Sequence, residues 1–141
     1  NYLELMKDRY EENLIYNIEE AGELERVKVP RVILQPIVEN CFKHGFGENG
    51  FPWIIHVAVT ASYGHWRIHV RNNGRPFQEK DLRELNEKVE GFLKGEQKKI
   101  SGIGLTNTII RLRLLYEEQV EYEIYTGNDG YTYVVLKGNY K

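Results

Sequence analysis

The 141 residues carry 19 basic and 21 acidic side chains, a formal charge of −2, so no global field marks nucleic acid or an anionic membrane as a partner. That length suits one domain with one core. A single cysteine, Cys41, excludes an internal disulfide and suits a reducing compartment; no apolar run is long enough to span a membrane, and the first residues do not form a signal peptide. The absence of an initiating methionine suggests a piece of a longer protein.

Leu3, Met6, Tyr10 and Leu14 recur at spacings of three and four among charged residues and predict an amphipathic helix over residues 1–14. Residues 15–19 read as a short strand, residues 21–26 as a polar turn, and Pro30 fits the first turn of a second helix. Along that helix Ile33, Ile37 and Cys41, with Leu34, Val38 and Phe42, form a broad apolar face on which Cys41 reads as a buried, inert thiol. Gln35, Glu39, Asn40, Lys43 and His44 crowd the other face before Gly45 stops the helix. The plain interpretation of that polar face is solvation. The functional one is a carboxylate, a neutral oxygen ligand, a cation and an imidazole gathered within about three helical turns. Pro36 removes a backbone donor and predicts a kink or a delayed start to the regular helix.

Residues 45–52 form a glycine-containing loop. Alternation over residues 53–60 and 67–71, with Ser62-Tyr63-Gly64-His65 between, predicts an antiparallel hairpin. His56, His65 and His69 are read as structural or exposed, and no ligand spacing predicts a metal knuckle. Asn72-Asn73-Gly74 is a turn by composition. Leu82, Leu85, Val89, Phe92 and Leu93 space out another helix, followed by a polar stretch with Lys98 and Lys99. Ser101-Gly102-Ile103-Gly104-Leu105 then opens a helix along Leu105, Ile109, Leu112 and Tyr116; its glycines let backbone approach an anion at a helix start. Residues 120–125 and 131–137 form a final hairpin across Thr126-Gly127-Asn128-Asp129-Gly130. This order predicts a two-layer α/β (α+β) sandwich, with helices over one face of a mixed, mostly antiparallel sheet.

Leu34-Gln35-Pro36-Ile37-Val38-Glu39-Asn40, Lys43-His44-Gly45, and Gly102-Ile103-Gly104-Leu105 running into Asn107 and Arg111-Leu112 closely resemble the N box and second glycine box of the GHKL ATPases, whose fold is Bergerat-type. More narrowly, they resemble the catalytic ATP-binding (HATPase_c) domain of two-component sensor histidine kinases of the LytS/YesM-like branch, over roughly residues 25–137. The resemblance implies ATP and Mg²⁺ as ligands. It implies Asn40 as magnesium ligand, Lys43 and His44 facing the phosphates, and Glu39 as general base. Asn72 and Gly74 would meet adenine, and Gly102, Gly104 and Leu105 would contact phosphate through backbone, under a lid formed by the polar stretch around residues 95–100. The sequence departs from the family's first glycine box, Asp-x-Gly-x-Gly, with Asn72 for the aspartate and Pro76 for the second glycine. An amide oxygen still accepts from the adenine amino group, at a cost of around 1 kcal/mol against a charged acceptor.

The implied reaction moves the γ-phosphoryl of ATP to a histidine on a separate upstream dimerisation segment of the same protein, a homodimer in full length, with a response regulator as the next acceptor. Residues 1–14 are then a connector or the tail of the upstream helix, and residues 15–141 the catalytic domain. The location expected is the cytoplasmic side of a membrane-anchored bacterial sensor. Two other classes fit the same motifs: a catalytically impaired nucleotide-binding regulatory module, favoured by Asn72 and Pro76, and a serine kinase of the anti-sigma type.

Overall fold

The computed structural model describes residues 2–22, 34–46, 50, 52–95, 105–116 and 120–139. In chain order these give helix α1 (Tyr2–Tyr10), strand β1 (Leu14–Gly22), helix α2 (Leu34–Asn40) running into a π-helical turn (Cys41–Phe46), and strands β2 (Trp53–Ser62) and β3 (His65–Asn72). Helices α3 (Glu79–Leu93) and α4 (Leu105–Tyr116) follow, then strands β4 (Glu121–Thr126) and β5 (Thr132–Asn139). The strands form one sheet in the order β1-β2-β3-β5-β4. β1 pairs with β2 in parallel and the other three pairings are antiparallel, as the sequence predicts for a mixed, mostly antiparallel sheet.

The two sheet faces follow from strand alternation. Ile55, Val57 and Ala61 of β2, Trp66, Ile68 and Val70 of β3, and Val134 and Leu136 of β5 point inward, where they join Ile37 and Val38 of α2, Leu85 and Val89 of α3, and Ile109 and Leu112 of α4 in one core. Removing those apolar groups from water is the main force joining the two layers, at about 25 cal/mol per Å² buried. Leu3 of α1 is buried in the same core, and Tyr2, Met6 and Tyr10 pack against it.

Local signals and tertiary pairing disagree at β1. The sequence predicts a strand of residues 15–19 preceded by a helix reaching Leu14. Instead α1 ends at Tyr10, a 3₁₀ turn covers Glu11–Asn13, and fully buried Leu14 opens a strand of nine residues. Glu20 and Ala21, beyond the predicted strand, show no apolar alternation, yet each is paired along β2, opposite Val59 and Thr60. Gly22 closes the ladder opposite Ala61 at φ +90°, where a Cβ would lie 1.9 Å from the Ala61 carbonyl oxygen. Only glycine fits there.

Pro36 is the third residue of α2, and the change of helical pitch falls after Asn40. α3 starts at Glu79, earlier than its apolar spacing suggests, because Asp81 Oδ2 accepts from the Gln78 backbone N–H at 3.3 Å and secures the first turn. The predicted β2–β3 hairpin turns on Tyr63 (φ +53°) and Gly64 (φ +81°), two consecutive left-handed residues. The predicted polar stretch around residues 96–100 and the glycine motif at residues 101–104 lie outside the described residues, as does Pro30.

Candidate functional site

The N-box helix divides as its periodicity requires. Ile37, Val38 and Cys41 are buried, at 1%, 2% and 2% exposure, whereas Glu39 and Asn40 are half-buried and Lys43 is exposed. Gln35 Nε2 donates to Glu39 Oε1 at 2.9 Å, one helical turn away. Tyr2 lies near that carboxylate: its phenol is pushed above its ordinary pKa first by burial and then by the charge of Glu39. The π-helical turn carries Lys43 and the backbone of His44. Such widened turns recur at functional sites because they re-aim side chains without ending the helix. An aromatic cluster packs around this turn: Phe46 stacks on Trp53 at 4.8 Å and 1°, and Phe42 meets Tyr2 and Tyr10 of α1 at 5.8 and 6.1 Å.

The first-box residues sit at the inner end of β3. Alternation along Trp66, Ile68 and Val70 turns Asn72 inward, where it is 4% exposed. A polar side chain so buried must find partners. Asn72 Oδ1 accepts from the Gly74 backbone N–H at 2.9 Å, and Asn72 Nδ2 donates to Cys41 Sγ at 3.3 Å. The N box and the first glycine box therefore meet through one amide–thiol bond. Burial drives the Cys41 thiol up to about 12, partly offset by the Asn72 amide, so the group stays protonated. Asn73 clamps the neighbouring strand start: its Oδ1 accepts from the Ile54 N–H at 2.8 Å and its Nδ2 donates to the Pro52 carbonyl at 2.9 Å.

Sequence reasoning passed over Thr132. It opens β5 directly opposite Asn72, is 2% exposed, and its Oγ1 has no hydrogen-bond partner among the described residues. A buried hydroxyl opposite Asn72 is a donor and acceptor that the described residues leave unmet. Nothing local to Tyr131-Thr132-Tyr133 signals this; only the β3–β5 register does. Leu105 begins α4 and is 4% exposed, with Asn107 and Thr108 among the buried polar residues of that helix.

The structure thus brings Asn72 and Gly74 together with Cys41, one residue beyond Asn40. Glu39 is instead engaged by Gln35, and Lys43 is exposed without a resolved contact to this cluster. Gly102 and Gly104 lie outside the described residues, as does the side chain of His44. Among the described residues no group of three or more histidine, cysteine or acidic side chains is arranged to hold a metal. Asn40 is half-buried and carries a neutral amide oxygen, a donor of the kind found beside waters and phosphates around a magnesium ion.

No family profile matches the chain. It is similar to the sensor protein LytS of Oceanobacillus iheyensis, 30% identical over 129 residues, covering 92% of this chain and 22% of that protein. It is also similar to the sensor histidine kinase YesM of Bacillus subtilis strain 168, 23% identical over 136 residues, covering 96% and 21%. The chain therefore spans about a fifth of the length of these relatives. Among solved structures, the catalytic domain of the histidine kinase ThkA superposes with a TM-score of 0.60 at 18% identity, over 99% of this chain and 87% of that one. ThkA in complex with the response regulator protein TrrA superposes at 0.57 and 19% identity, over 99% of this chain and 38% of that one. By sequence the chain is a relative of the LytS/YesM-like sensor histidine kinases, and its fold is that of histidine kinase catalytic domains.

Proposed function

We propose that this chain binds ATP with magnesium and transfers the γ-phosphoryl group to a histidine on an upstream dimerisation segment of the same protein, which passes it to a response regulator. The observation that carries this is the meeting of N box and first glycine box at Asn72, with the orphan hydroxyl of Thr132 beside it. ATP supplies the phosphoryl group and magnesium neutralises its charge. The chain's own residues position and polarise.

Asn72 Oδ1 has a second lone pair with which to accept the adenine amino proton, and Gly74 fixes the amide from behind. Asn40 holds the metal through its side-chain oxygen. By the resemblance, Lys43 and His44 are the residues assigned to the phosphates, and Gly102, Gly104 and Leu105, in the sequence leading into α4, are assigned backbone donation to them. Glu39, oriented by Gln35, serves as general base toward the incoming histidine. In the full-length protein, residues 1–14 are a connector or the tail of the upstream dimerisation helix, and the domain lies on the cytoplasmic side of a membrane-anchored homodimeric sensor.

A second reading, a nucleotide-binding module without transfer activity, draws on Asn72 and Pro76, which replace two residues of the family's first box. Calorimetric titration with ATP and magnesium, beside GTP and an Asn40→Ala control, separates the possibilities. Magnesium-dependent ATP binding that weakens about tenfold or more in Asn40→Ala, ~1.4 kcal/mol, is the expected result. A folded chain that binds no nucleotide overturns the proposal. Binding that survives Glu39→Gln while phosphotransfer to an added acceptor segment falls assigns the base; equal transfer in both forms removes Glu39 from that role.

A further inference from the structure

An amide in place of a carboxylate raises a problem of orientation. Its carbonyl end accepts from the 6-amino group of adenine, whereas its NH₂ end donates to the 6-oxo group of hypoxanthine or guanine. A freely turning Asn72 would serve either base. The observed contacts fix one orientation. Gly74 presents a backbone N–H, which is only a donor, at 2.9 Å and so faces Oδ1. Cys41 presents sulfur at 3.3 Å to Nδ2, while its own S–H points to the Ile37 carbonyl at 3.7 Å, leaving the sulfur lone pairs to accept. Turning the amide over would set NH₂ against the Gly74 N–H, a repulsive contact, and would leave the carbonyl facing a sulfur that could meet it only by turning its S–H away from the Ile37 carbonyl, at side chains that are 4% and 2% exposed.

We propose that Cys41 is a positioning residue that locks the Asn72 amide with its oxygen as the acceptor, so that the site selects a 6-aminopurine over a 6-oxopurine without a carboxylate. This rests on the assignment of Asn72 to the nucleotide base. Cys41 touches no ligand in this scheme. It acts by removing the alternative state of Asn72 from the ensemble, so its effect falls on the ratio of affinities.

The test compares ATP with ITP, which share ribose, triphosphate and metal and differ at the 6-position. Affinities of both are measured by calorimetry with magnesium for the unsubstituted chain, Cys41→Ala and Cys41→Ser, each checked for native circular dichroism. The expected result is a preference for ATP that falls by roughly two- to tenfold in Cys41→Ala, the equivalent of one neutral hydrogen bond, and returns in Cys41→Ser, whose oxygen restores an acceptor. A packing defect would weaken both nucleotides together and leave the ratio unchanged, and an unchanged ratio overturns the inference. A preference for ITP in the unsubstituted chain overturns the lock while leaving the nucleotide site standing. Failure of that chain to bind either nucleotide overturns the site assignment, and the base preference with it. In the unsubstituted chain the Asn72 side-chain amide protons should exchange slowly by NMR, and fast exchange overturns the lock without recourse to any variant.

Discussion

His69 lies on the sheet face turned away from the helices, half-buried, its ring 5.1 Å from that of Tyr133. Burial holds its pKa below the ordinary value; the charges of Arg67, Arg71 and His56 add to the effect and Asp129 opposes it. The sign of the pH dependence follows from linkage. Below about 6.5 the unfolded chain takes up a proton at this position that the folded chain resists, so stability falls as pH drops from there through the lower folded value. Urea midpoints measured between pH 7.5 and pH 5 should decline along this window, and His69→Gln should flatten the decline. An equal slope in the variant would assign it to other groups. Cys41 behaves oppositely in chemistry: at 2% exposure its thiol remains protonated and serves as a hydrogen-bond acceptor for Asn72.

Among the elements, the β2–β3 hairpin carries an identifiable local cost. Tyr63 holds φ +53° while 96% exposed, so neither packing nor a permissive backbone offsets the left-handed conformation. Replacing it with asparagine, which tolerates that region and suits a two-residue turn before Gly64, should raise stability by about 1 kcal/mol. Equilibrium urea unfolding of Tyr63→Asn measures this directly, and a lower midpoint would contradict the turn assignment. At the other end of the sheet, the aromatic cluster of Tyr10, Phe42, Phe46 and Trp53 joins α1, the π-helical turn and β2. That contact ties the N-terminal helix to the same turn that carries Lys43.

Among the described residues, the helices and the candidate site residue Asn72 lie on one face of the sheet and the histidines of the strands occupy the other. His56 approaches Glu19 at 3.7 Å, and His65 Nδ1 is 2.7 Å from Asn139 Oδ1, on rows that face away from Asn72. Under the proposed function none of these serves as phosphoacceptor. Incubated with labelled ATP and magnesium, the chain alone should gain no acid-labile phosphate, and adding the histidine-bearing segment of the parent protein should produce it on that segment. Phosphate on the chain itself, at His56, His65 or His69, would contradict this division of faces.

The sequence by itself determined the kind and order of the elements, because helical and strand periodicities are local: Leu105, Ile109 and Leu112 announce α4, and the alternation through Trp53 and Ile55 announces β2. It also determined the family resemblance through the N box and the Gly102–Gly104 motif. Only the tertiary structure decided that Glu20, Ala21 and Gly22 extend β1, since their reason is the ladder to β2 rather than their own side chains. Only the structure joined Asn72 to Cys41 and set Thr132 opposite it. Those pairings depend on the sheet register and on how α2 crosses the sheet, and both are set by burying apolar surface from distant segments at once. No single stretch of sequence encodes that.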